Sequence, residues 1–155
     1  TFLFYLLYLL SMSIRCHTPI TDKMRHSKPM KMNRLVSQFT KNITPHVEAE
    51  LRLAQLASSN NQSSKAFFHL ENAHVLGQES TYWHVKVHLL MFLWAIKNTK
   101  LSECLGQAFR LVGALTKTAL GLVPKGNTGG SNISPFKTLP LRPEHARAIQ
   151  AAKGI

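Results

Sequence analysis

Residues 71–88 hold one carboxylate and three imidazoles at helical spacings: Glu71-Asn72-Ala73-His74 and His84-Val85-Lys86-Val87-His88. Glu71 and His74 are three residues apart, and His84 and His88 are four apart. On helices each pair projects from one face. Gly77-Gln78-Glu79-Ser80 lies between them and reads as a helix stop followed by a new start. An antiparallel hairpin about Glu79 sets His74 level with His84 and Glu71 level with His88. Imidazole and carboxylate donors converging at about 2.0–2.2 Å are the ligand chemistry of zinc, and imidazole also suits copper and iron. Glu71, His74, His84 and His88 are therefore the expected ligands of a zinc, copper or iron ion. No second E-x-x-H accompanies the first, so the spacing favours a mononuclear site over a di-iron one. The competing reading is a buried structural network in which Arg110 pairs with Glu71 and the histidines bond Gln78 or backbone carbonyls.

Gln78, Gln107 and Arg110 are the expected supporting residues. Gln107 and Arg110, three apart, have two readings. They form an anion site with the amides of Gly126-Asn127-Thr128-Gly129-Gly130, or that loop folds back over the helices and Arg110 bonds its carbonyls. The second reading is preferred, because the loop lacks a G-K-[ST] ending and a preceding strand. No Ser-His-Asp or Cys-His arrangement is present, and paired acid–base carboxylates are missing. A metal-assisted enzyme ranks third, behind a metal-binding protein and a helical-hairpin interaction module. It requires an open coordination position and an adjacent pocket.

The elements that position these groups read as all-α. Thr44 and Pro45 look like a cap and first-turn residue ahead of a helix over Val47–Ala57. Lys65–Leu76, closed by Gly77, is the second helix and Thr81–Ile96 the third. Ser102–Leu120 is the fourth, with an apolar stripe of Leu101, Leu105, Ala108, Leu111, Val112 and Leu115. Two antiparallel hairpins result, as a bundle or a tetratricopeptide-like pair. A long loop with Pro135 and Pro140 follows, then a short helix from Pro143 to Ala152. His46, His69 and His145 stand apart and are expected at the surface.

The net charge of +12 over 155 residues invites a nucleic-acid reading, but its distribution argues against one. Five basic residues balance five acids between His46 and Leu105, and the excess lies at the two ends. The partner expected is a metal ion or a protein, not a specific nucleic acid. Cys16 and Cys104 form no CxxC spacing, and Cys104 is expected to pack as a small apolar residue. Phe2–Leu10 is apolar but too short for a transmembrane segment. Residues 1–29 read as a non-domain extension or a targeting remnant, with one helical domain over 30–155 beginning near Met30. A cytoplasmic protein is expected, or an exported one if the apolar run is a truncated signal peptide.

Four motifs in order, ENAHVLGQ (71–78), HVKVH (84–88), GQAFRL (106–111) and GNTGG (126–130), resemble a family of small bacterial proteins catalogued as domain of unknown function 3703. The likeness spans Met30 to Ala152. It implies a short, stand-alone, mostly helical protein with no established activity. An association with gene neighbourhoods for heavy-metal resistance would fit a metal site.

Overall fold

The structure is a computed structural model and describes residues 37–117 and 123–155. The expected start near Met30, the Phe2–Leu10 run, Cys16 and the end of helix four at Leu120 lie outside the described residues. Among the described residues, five helices make up the regular structure: α1 Gln38–Ser59, α2 Ser63–Gly77, α3 Thr81–Lys97, α4 Leu101–Lys117 and α5 Pro143–Lys153. The protein is all-α, in two hairpins. α1 packs on α2, α3 on α4, α2 joins the pairs along α3, and α5 closes on α1.

α1 starts nine residues before the expected Val47 and runs through Pro45. The cap is Ser37, whose hydroxyl accepts from the Thr40 amide at 3.1 Å. Thr44 is thus an interior residue. Its hydroxyl donates to the Thr40 carbonyl at 2.7 Å and accepts from Trp83 Nε1 at 2.9 Å. Burial overrides the proline, because Ile43 and Val47 on either side of it are fully buried.

The turn between α2 and α3 is as tight as the sequence requires. A Cβ at Gly77 would lie 2.7 Å from that of Trp83, so only glycine lets the two helices meet here. The Ser80 hydroxyl caps α3 by accepting from the Trp83 amide, and it also accepts from Thr40 Oγ1 at 2.8 Å. The turn is thereby pinned to the start of α1. Leu70, Ala73 and Leu76 from α2 pack with Trp83, Val87 and Met91 from α3, Ile43 and Val47 from α1, and Ile149 and Ala152 from α5.

α4 contributes nothing to that apolar core. Part of its stripe faces outward: Leu101, Leu105 and Val112, and Phe109 beside them, are each at least 60% exposed. The inward side carries Glu103, Gln107, Arg110 and Ala114. His145 also departs from expectation. It is buried where α5 closes on the bundle. His69 is partly buried and 2.7 Å from Glu50 Oε2, whereas His46 is exposed. Glu50 accepts from Asn72, which accepts from Arg142 at 2.7 Å, so a polar chain links α1, α2 and the foot of α5. Cys104 is a free, half-buried thiol. No described helix is long and apolar enough to cross a membrane.

Candidate metal centre

The α2–α3 hairpin brings His74, His84 and His88 together, and all three are buried. Their rings lie 4.6–4.8 Å apart, centroid to centroid. One nitrogen from each falls within 4.8 Å of the other two. The closest approach is Nε2 of His74 to Nε2 of His88, at 3.1 Å. Glu71 stands outside this trio. Its carboxylate borders Gly130, and burial raises its pKa against the opposing effect of the Thr128 hydroxyl.

The partners behind the rings fix where the protons sit. His74 Nδ1 is 2.9 Å from the carbonyl oxygen of Asn127, which only accepts, so Nδ1 carries the proton. His88 Nδ1 faces Gln107 Oε1 at 2.6 Å. The Gln107 amide cannot be reversed, because its nitrogen donates to Glu103 Oε1 at 2.6 Å and to the Gly129 carbonyl at 2.8 Å. His88 Nδ1 is therefore protonated as well. Both Nε2 atoms then present lone pairs to each other across 3.1 Å. Two neutral imidazoles so held repel, and a cation between them removes the repulsion.

A proton is a poor candidate for that cation. Burial, first, and then the neighbouring histidines push His74 well below the usual imidazole range. Burial followed by His84 does the same to His88. Burial and the Arg110 guanidinium take His84 down to about 4. The three rings are neutral at pH 7, the state in which imidazole ligates metal.

The loop 123–142 closes the other side. Arg110 donates to the carbonyls of Gly130, at 2.9 Å, and Ile133. It thus bonds the loop carbonyls instead of pairing with Glu71. Asn127 holds the loop in shape. Its Nδ2 donates to the carbonyls of Ser134 and Lys137, and its Oδ1 accepts from the Gly129 amide at 3.0 Å. Glu103 accepts from the Ser131 amide and hydroxyl. Gly129, at φ +83°, lies against the His74 ring, where a Cβ would come within 2.8 Å.

A pocket of about 430 Å³, open mouth included, reaches all three histidines. Gln78, Phe109, Arg110, Asn127 and Pro135 are among the residues that line it. Gln78 is 2% exposed, and its Oε1 has no hydrogen-bond partner. The sequence did not point to Glu103 as the anchor of Gln107. Their spacing of four on one helix was the available signal.

The family described as Protein of unknown function (DUF3703) matches residues 41–149, most of the chain. The chain belongs to that family. The match takes in all five helices at least in part, the histidine trio and the loop that covers it. No curated protein and no solved structure is significantly similar to the chain.

Proposed function

We propose that this protein binds one transition-metal ion, of zinc, copper or iron, through Nε2 of His74 and His88 and a ring nitrogen of His84. The supporting observation is the pair of fixed tautomers: each Nδ1 proton points away, to Asn127 and Gln107, and leaves two lone pairs converging in a buried space. Outward Nδ1–H bonds to a carbonyl or amide oxygen are the usual support of metal-ligating imidazoles. Glu71, expected as a fourth ligand, serves in this reading as a neighbour that shapes the loop.

Elemental analysis of the untagged full chain tests the proposal. Near-stoichiometric metal is expected, and His84→Ala should lose it while helical circular dichroism persists. A folded protein that takes up none of the three metals would overturn the reading. The outward apolar face of α4 favours a second role as an interaction surface. Light scattering would then show self-association that Leu105→Glu removes.

A further inference from the structure

Three features converge on the pocket beside the trio. First, the histidines provide only three donors, one fewer than a tetrahedral ion takes. Second, the pocket that reaches them is also lined by apolar groups, Phe109, Ala114, Val123 and Pro135 among them. Third, Gln78 is among the residues that line the same pocket, and its buried Oε1 has no donor against it, an arrangement that costs stability unless something supplies one. The charges point to what that is. A divalent ion and Arg110 together carry three positive charges against two carboxylates, Glu71 and Glu103, in a region where burial keeps the interaction strong. Gln107, Asn127 and the loop carbonyls are neutral, and the three imidazoles add nothing.

We propose that the ion keeps a coordination position open to this pocket, and that the position binds a small exchangeable anion carrying a proton of its own, which donates to Gln78 Oε1. Hydrogencarbonate is a representative of that class. The inference rests on the metal reading above and goes beyond it: a storage site would be closed, whereas this one admits a second ligand. Gln78 is the specificity-determining residue, since its bare acceptor favours an anion with an O–H over an aprotic one. Arg110 supplies charge without giving up its bonds to the loop.

Cobalt(II) is the probe, because its visible absorption reports coordination. The full chain is loaded with cobalt and titrated separately with azide and with hydrogencarbonate. Saturable band shifts with both anions are expected. In Gln78→Leu, hydrogencarbonate should bind about tenfold more weakly, the worth of one net hydrogen bond, with azide unchanged. Cobalt bands that neither anion perturbs would show a closed site and overturn this inference while leaving the metal reading intact. Equal losses for both anions in the variant would remove the role of Gln78. Failure to develop cobalt bands at all would overturn both readings. The wild-type titration stands whether or not the variant folds.

Discussion

Gln107 carries more of the site than any residue that points into it. It orients His88, anchors to Glu103 and holds the Gly129 carbonyl. Gln107→Leu leaves the His88 Nδ1 proton and the Gly129 carbonyl without partners and takes one of two donors from Glu103 Oε1, which keeps the Ser131 amide. A loss of about 1–3 kcal/mol of stability is expected in denaturant titrations. Metal affinity should fall about 10- to 100-fold in competition with a chelator, since His88 loses its fixed tautomer. Retained affinity would show that ring orientation comes from packing alone. The histidines also set a pH dependence. His84 has an ordinary pKa near 6.5 when unfolded and one of about 4 when folded, so between those values the unfolded chain takes up the proton. Stability is complete above about pH 6.5 and declines as pH falls towards 4, by on the order of 3 kcal/mol for this residue. His74 and His88 act in the same direction. Urea midpoints at several pH values check this. A midpoint flat from pH 7 to pH 4 would contradict the burial of the trio.

At the scale of elements, α1 keeps a proline that its burial has overruled. Pro45 is exposed and lacks the amide that would bond the Lys41 carbonyl. Pro45→Ala should raise stability by about 1–3 kcal/mol, read as a higher melting temperature. An unchanged temperature would mean that the ring's packing offsets the missing bond. The same residue shows why the start of α1 was misread. Thr-Pro is a strong local signal for a beginning, and only contacts 39 and 40 residues away, from Trp83 to Thr44 and Thr40 to Ser80, reveal that the helix passes through it. The hairpin of α2 and α3 was legible because a stop at Gly77 and a start near Ser80 are local, and spacing alone then aligned the histidines. α4 is legible on one side alone. The spacing of Gln107 and Arg110 places them beside the site, where both are buried, whereas the apolar stripe carries no sign that Leu101, Leu105 and Val112 face outward. Glu71 was misplaced for a related reason: level in the hairpin is not the same as pointing at the trio. Gly129 offers a test of the loop. Gly129→Ala adds a Cβ at positive φ against the His74 ring and should displace the ring and lower metal occupancy, while Gly113→Ala, with open space around it, should not.

For the whole molecule, the division of labour between helices matters most. The apolar cluster draws on α1, α2, α3 and α5. α4 and the 123–142 loop add only a few apolar side chains, such as Ala114 and Leu141, and are tied together by hydrogen bonds through Glu103, Gln107, Arg110 and Asn127. Layers with little buried apolar area are the first to open. Amide exchange should therefore be faster in α4 than in α1 or α3, and an ion that grips the histidines beneath the loop should slow it. The consequence reaches turnover of the protein. Lys125 and Lys137 are exposed on the part that opens first, so trypsin should nick the empty protein there and spare the loaded one. Equal cleavage of both forms would disprove the link. If it holds, metal supply sets how long each copy survives, and the chain persists only while it has something to carry.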